Sequence, residues 1–161
     1  GLDILLPIIS RIDDERAEFH IVGGGEMEEE IRRMDKVIYH GIVSNEELAR
    51  IYRECDVFIY PSHADTFGMV VLEALSSGMY VITGEYLRGN FDEFEGKYLE
   101  YLPMNEEVFE KRVREIINNR NIIEHDKKEE YEYVKDHYDW EIIAKEFYNY
   151  MRRFYEESKK D

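Results

Sequence analysis

The sequence lacks the features that mark a secreted or membrane-spanning chain. Cys55 is its single cysteine, so no disulfide can form within the chain, and this favours a reducing compartment. No apolar run approaches the ~20 residues that cross a bilayer, and the first residues lack the basic start and cleavage site of a signal peptide. We therefore expect a cytoplasmic protein whose association with a membrane, at its inner face, is at most peripheral.

Positive charge is also scarce. The chain has 21 Lys and Arg against 37 Asp and Glu, which gives a net charge of −16. A phosphate backbone would be repelled, so nucleic acid is not expected as a partner. Hydrophobic residues make up 43% and aromatics 14% of the chain, which argues against disorder. A length of 161 residues suits a single domain over 1–161.

Short apolar runs alternate with amphipathic stretches along the chain. The pattern predicts strands at 18–22, 37–43, 57–60, 80–83 and 98–102. It predicts helices at 2–12, 26–34, 44–55, 66–76 and 105–119, and two further helices within 122–158 that break near Asp139. We expect the strand at 57–60 to be covered on both faces, and the aromatic stripes of the last two helices to be packing surfaces.

This alternation predicts an α/β fold, a Rossmann-like parallel sheet with helices on both faces. Ligands of such sheets gather at the carboxyl ends of the strands, here 23–26, 41–45, 61–68 and 83–90. A doubly wound domain normally opens with a central strand, whereas this chain opens with a helix. We therefore expect the first strand to be missing from this chain, which would make it a fragment of a larger protein.

Residues 61–78 place an acid on each side of a predicted helix start. Asp65 precedes helix 66–76 and Glu73 lies within it. Eight residues of helix rise about 12 Å, so the two carboxylates are too far apart for an acid–base pair but suit opposite ends of one extended ligand. The amides of Thr66, Phe67 and Gly68 should have no partner inside the helix, which predicts an anion site suited to a diphosphate.

Simpler interpretations of these residues stay open on spacing alone. Asp65 could be an ordinary N-cap, and Glu73 could point to solvent. Against the second, Glu73 lies in an apolar stretch, 69–75, where a carboxylate needs a hydrogen-bond donor; ribose hydroxyls would serve. Gly68 would let a ligand approach the backbone.

The segment resembles the signature of retaining glycosyltransferase family 4, whose members have the two-domain GT-B fold. The matching positions are Pro61-Ser62, Asp65, Phe67-Gly68, Glu73-Ala74 and Gly78, with Asp65 in place of the more usual Glu. Further similarity lies in the glycine turn that follows Ile21-Val22, in His40-Gly41-Ile42-Val43, and in Tyr138-Asp139-Trp140-Glu141.

The resemblance implies a donor-binding domain that moves a hexose from a UDP- or GDP-sugar to a glycan or lipid acceptor. Glu73 would bind the ribose, and Asp65 would contact the sugar near its anomeric carbon. The resemblance further assigns donor contacts to Gly24, Gly41, Ile42 and Val43 at the two turns, and to Thr66, Phe67, Gly68, Met69 and Val70 at the helix start.

Several parts of a complete transferase are not expected in this chain. We expect no metal and no cofactor. The Arg and Lys that neutralise the diphosphate in the family would fall upstream of Gly1, as would an N-terminal domain that binds the acceptor. This chain alone should therefore be inactive. Arg88 could be a substitute phosphate contact or merely a loop cation.

Other function classes remain as alternatives. Gly23-Gly24-Gly25 after a strand suggests a dinucleotide-binding oxidoreductase, but Glu28 occupies the third glycine position of that fingerprint. A non-catalytic, degenerate transferase module and a sugar-nucleotide epimerase of the same fold are the other two alternatives.

Overall fold

The computed structural model describes residues 1–159, in which helices alternate with parallel strands. The strands are β1 (Phe19–Val22), β2 (Val37–Gly41), β3 (Val57–Tyr60), β4 (Tyr80–Gly84) and β5 (Leu99–Leu102). The α-helices are α1 (Leu2–Arg11), α2 (Glu28–Ile31), α3 (Asn45–Glu54), α4 (Met69–Ser76), α5 (Glu106–Asn118), α6 (Lys127–Tyr138) and α7 (Trp140–Glu157). Short 3₁₀ turns cover Glu85–Leu87, Asp92–Phe94 and Arg120–Ile123.

The strands form two parallel sheets. β1 pairs with β2, and the second sheet has the order β3-β4-β5. β1 and β3 do not pair with each other, so each sheet has an open edge there. The predicted α/β fold, with parallel strands flanked by helices, is confirmed; the sheet is divided in two because no strand within residues 1–159 joins β1 to β3.

Strand β4 carries the main packing of the domain. All five of its residues are buried, and β3 and β5 pair along its two edges. Tyr80 and Ile82 join a core with α1 and α5, whereas Val81 joins a second core with α4 and α6. The helices thus lie on both faces of the sheet.

β3 packs on both faces, as expected: Phe58 and Tyr60 contact one core and Val57 and Ile59 the other, although all four residues are only half-buried. It pairs with β4 along one edge alone, so the fully covered strand is β4. An apolar run of four residues cannot by itself show which strand has neighbours on both edges.

Capping residues mark several helix starts where the sequence placed them. The hydroxyl of Ser44 accepts a hydrogen bond from the amide of Glu47 at the start of α3. Asp139 accepts one from the amide of Glu141, which confirms the break between the last two helices. The predicted helix at 26–34 is shorter, Glu28–Ile31, and the strand predicted to reach Val43 ends at Gly41.

The C-terminal helices differ in how they pack. α6 buries Val134 against the core that contains α4, whereas α7 has no buried residue. Trp140 and Phe147 on α7 are 74% and 65% exposed. The expected packing surface is therefore present on α6 but absent on α7 within the residues described. No helix between residues 1 and 159 combines the length and apolar character that crossing a membrane requires.

A buried acid lies at the start of α6. Glu130 has no exposed surface, and its Oε2 lies 2.8 Å from Nε2 of His125. Nδ1 of His125 lies 2.8 Å from the carbonyl oxygen of Ile123 and must donate to it, because a carbonyl only accepts. One proton must then be shared between Nε2 and Oε2. Burial raises the pKa of Glu130 to about 8, although Lys127 opposes the rise.

This raised pKa makes stability depend on pH. Glu130 keeps a proton in the folded state that it loses when unfolded, so its contribution is complete below its ordinary pKa and is lost as pH rises towards 8. We expect the free energy of unfolding, measured by urea denaturation, to fall between pH 5 and 9. Glu130→Gln, which keeps a donor for His125 but cannot ionise, should flatten that slope.

Glu129→Gln is the matched control, because Glu129 is exposed and pairs with Lys97 at the surface. It should leave the slope unchanged. An equal slope in wild type and Glu130→Gln would contradict the assignment of this pH dependence to Glu130.

Candidate functional site

The turn between β3 and α4 is held by the carboxylate of Asp65. Its Oδ1 accepts hydrogen bonds from the amides of Phe67 at 3.0 Å and Gly68 at 2.9 Å. The prediction that the helix begins at Thr66 is wrong: α4 begins at Met69 after Gly68, so Asp65, which could have been its N-cap, instead holds the turn before it. A side chain that bonds the backbone two and three residues on competes with helix formation, which delays the helix start.

Gly68 permits a sharp change of direction at this point. Its φ of 89° is left-handed, a conformation that glycine adopts without steric cost. A Cβ here would lie 3.1 Å from Leu87 and 3.2 Å from Phe91. The space that we expected a ligand to use is therefore taken by the segment after β4, so the glycine serves packing within the domain.

Asp65 is well prepared to stay ionised. Its Oδ2 accepts a hydrogen bond from the hydroxyl of Tyr60 at 2.9 Å. The hydrogen bond from the Phe67 amide lowers the pKa of Asp65, with help from Tyr60 and Gly68 and against the effect of burial. Both carboxylate oxygens are thus engaged by the protein itself.

Glu73 lies on the exposed side of α4. Its Oε2 accepts a long hydrogen bond, 3.4 Å, from the hydroxyl of Tyr52 on α3. The argument that Glu73 needs a ligand to satisfy a buried charge is therefore wrong, because water reaches this carboxylate. Its neighbours Val71, Leu72, Ala74 and Leu75 are the buried ones, so the apolar sequence around it belongs to the other side of the helix.

The structure brings the two predicted turns of the first sheet together. The amide of Gly23 donates to the carbonyl of Gly41 at 2.8 Å, and a Cβ on Gly24 would lie 3.3 Å from Ile42. Ile42 is 88% exposed, and Val43 leads into the cap of α3. α3 then runs from this turn to Tyr52, which contacts Glu73 and so links the two groups of predicted site residues.

Arg88 and His63, near the turns, already have acidic partners. Arg88 pairs with Glu95 at 2.8 Å and its guanidinium lies over the ring of Tyr101. His63 lies 2.9 Å from Asp3. Arg88 as a phosphate contact would have to leave Glu95, so that role stays a prediction.

Three residues around the turn were missed from the sequence. Asn90 donates to the carbonyl of Phe67 at 3.1 Å, and the ring of Phe91 lies 5.2 Å from that of Phe67. Tyr60 is the third, through its bond to Asp65. Asn90 lies in the predicted ligand-side loop 83–90, and Tyr60 ends a strand just before the acidic turn; these positions were the available signals.

Comparison with known proteins identifies the family and the fold of this chain. The model of the family glycosyl transferases group 1 matches residues 1–119. The chain belongs to this family, and its fold is that of the Rossmann-like C-terminal half of a GT-B glycosyltransferase. The dinucleotide-binding oxidoreductase alternative is therefore wrong.

Individual relatives span a range of glycosyltransferases. An uncharacterized glycosyltransferase from Methanocaldococcus jannaschii is 27% identical over 92% of this chain and 40% of its own length. A sulfoquinovosyl transferase from Arabidopsis thaliana is 32% identical over 51% of this chain and 16% of its own.

Solved structures share the fold. Sucrose-phosphate synthase from Thermosynechococcus elongatus has a TM-score of 0.79 at 21% identity, over 96% of this chain and 42% of its own. Anabaena HepE, solved with UDP and glucose, has a TM-score of 0.73 at 17% identity, over 95% of this chain and 45% of its own. The chain thus spans less than half the length of each of these four relatives.

The packing at Gly68 predicts that its replacement is costly. Alanine there combines left-handed strain with contacts to Leu87 and Phe91, so Gly68→Ala should lower the free energy of unfolding by about 2–4 kcal/mol. Gly89 also has a positive φ, 95°, but a Cβ there would meet nothing within 4 Å. Gly89→Ala is the control and should cost about 1 kcal/mol in urea unfolding. Equal losses would contradict the packing role.

Proposed function

We propose that this domain binds the nucleoside diphosphate sugar of a retaining glycosyltransferase, and that the whole protein moves a hexose from a UDP- or GDP-sugar to a glycan or lipid acceptor. The proposal depends on the placement of two acids at the carboxyl end of β3: Asp65 lies just before the start of α4, and Glu73 lies within that helix. In parallel sheets this is the edge at which ligands bind.

The reaction has a simple balance. The bond from the anomeric carbon of the hexose to the diphosphate oxygen breaks, and a bond from the same carbon to an acceptor hydroxyl oxygen forms. The nucleoside diphosphate leaves with the bonding electrons, and the acceptor's hydroxyl proton passes to the leaving diphosphate or to solvent. Retention means that the new bond has the configuration of the old one.

Each predicted residue then has a role along one extended donor. Glu73 accepts hydrogen bonds from ribose hydroxyls, for which its exposure leaves room. Asp65 accepts from hydroxyls of the hexose. The glycine turn at Gly24 and the Gly41–Val43 turn meet the base through their backbone, and the backbone of Thr66 to Val70 holds the sugar and diphosphate.

Asp65 and the diphosphate compete in this scheme. The carboxylate already occupies the amides of Phe67 and Gly68. Two anions cannot share them, so donor binding must release Asp65 from these amides and turn it towards the sugar.

The negative charge of this chain suggests that the cations of the proposed site come from elsewhere in the protein. The chain has a net charge of −16, and Arg88, the cation beside the turns, is paired with Glu95. We infer that the cations facing the diphosphate, and the acceptor site, come from a part of the protein outside these residues. A strand between β1 and β3, joined to the start of α1, would close the two sheets into one.

The ligands bound to two structural relatives support the proposed donor. HepE was solved with UDP and glucose, and the pneumococcal O-GlcNAc transferase GtfA with UDP and GlcNAc. We place the protein in the cytoplasm, with any membrane contact peripheral and at the inner face.

Isothermal titration calorimetry of the full-length protein with UDP, GDP and ADP tests the proposal. We expect UDP or GDP to bind, and Glu73→Gln to weaken that binding at least tenfold, because a charged acceptor of ribose hydroxyls is lost. Glu107→Gln on the exposed first turn of α5 is the control and should bind as wild type does.

Absence of binding at millimolar nucleotide would contradict the proposal and favour a non-catalytic module. Product analysis separates the remaining alternative, since an epimerase returns an altered nucleotide sugar whereas a transferase releases the nucleoside diphosphate.

A further inference from the structure

Each acid of the proposed donor site has a tyrosine hydroxyl as its partner. The hydroxyl of Tyr60 donates to Asp65 at 2.9 Å, and that of Tyr52 donates to Glu73 at 3.4 Å. The two tyrosines come from different elements, β3 and α3, and the two acids lie on different sides of the α4 start. In both arrangements a tyrosine hydroxyl holds one oxygen of an acid.

One ring joins the two tyrosines. Phe58 stacks on Tyr60 with centroids 5.7 Å apart and an angle of 15° between the rings. It also meets Tyr52 edge-on, at 5.7 Å and 80°. A continuous series of contacts therefore runs from Asp65 through Tyr60, Phe58 and Tyr52 to Glu73.

The rings of Tyr52, Phe58 and Tyr60 pack against the hydrophobic core. Tyr52 is only 9% exposed, and Phe58 and Tyr60 pack against the core that includes Val81. Phe58 and Tyr60 are two residues apart on β3, so their side chains leave the strand on the same face. A packed aromatic ring has few rotamers, and its hydroxyl is therefore a fixed donor.

We propose that Tyr60 and Tyr52 are positioning residues, one for each end of the donor, and that the Phe58 ring sets the spacing between them. The inference rests on the proposed function, since it concerns the same two acids. It assigns Tyr60 to the sugar end, through Asp65, and Tyr52 to the nucleoside end, through Glu73.

The bond to Tyr60 would hold Asp65 in position while its other oxygen exchanges the backbone amides for the donor sugar. Oδ1 of Asp65 is bound to the two backbone amides and Oδ2 to Tyr60. When the donor takes the amides, only the Oδ1 bonds need to break. The carboxylate then turns about its bond to Tyr60, and Oδ1 becomes available to a sugar hydroxyl.

Tyr52 acts differently, because Glu73 does not have to move. The Tyr52 hydroxyl donates to one oxygen of the exposed Glu73 carboxylate, and the other oxygen stays accessible to a ribose hydroxyl. Loss of the Tyr52 hydroxyl would let the Glu73 side chain sample other rotamers, so the nucleoside would bind a less ordered partner.

The two roles predict different changes in ligand affinity when each tyrosine is replaced by phenylalanine. The measurement is calorimetric affinity of the full-length protein for a nucleoside diphosphate and for its hexose conjugate, UDP with UDP-glucose or GDP with GDP-mannose. Tyr60→Phe should leave the affinity for the diphosphate within about 2-fold of wild type but weaken the conjugate about 5- to 10-fold. Tyr52→Phe should weaken both ligands by a similar factor, about 3- to 10-fold, because both contain the ribose.

The control is Tyr148→Phe, which removes a hydroxyl from an exposed position of α7 and should change neither affinity. Thermal unfolding of each variant accompanies the titrations, because a merely structural role would lower stability and affect both ligands alike in both variants. That shared pattern, or two variants that bind like wild type, would overturn the inference. If wild type binds no nucleotide at all, the proposed function itself fails, and this outcome is distinct from either pattern.

Discussion

The burial of β4 between two hydrophobic cores is the constraint on which the rest of the domain depends. α1 and α5 pack on one face and α4 and α6 on the other, while β3 and β5 complete its edges. Because α4 is held by this packing through Val71, Ala74 and Leu75, its first residue has a defined position at the end of β3. The acidic turn is therefore placed by the core, and its own hydrogen bonds shape only the local backbone.

The sequence predicts the parts of this fold that depend on short apolar runs. The five strands, the break between helices at Asp139 and the two turns at Gly24 and Gly41 all lie where periodicity and turn residues indicated. The start of α4 differs from the prediction because Asp65 bonds the amides of Phe67 and Gly68, and because Gly68 is left-handed at a place where Leu87 and Phe91 leave little room for a side chain. That room, and the exposure of Glu73, depend on long-range packing, which local patterns do not contain.

The site combines two well-prepared acids with a shortage of free positive charge. Asp65 has an internal network that keeps it ionised, and Glu73 is open to solvent. Under the proposed function, an anionic donor would need cations from elsewhere and would have to displace Asp65 from the amides that it occupies. These requirements fit a protein in which this domain supplies the recognition of nucleoside and sugar, and another part supplies neutralisation and the acceptor.

The most direct test of this account is a crystal structure of the full-length protein with its nucleotide sugar bound. The account predicts ribose hydroxyls within about 2.7–3.2 Å of the Glu73 carboxylate. It also predicts Oδ1 of Asp65 released from the amides of Phe67 and Gly68, with Oδ2 still bonded to Tyr60. A nucleotide sugar that binds away from residues 61–78, with Asp65 still bonded to those amides, would contradict it.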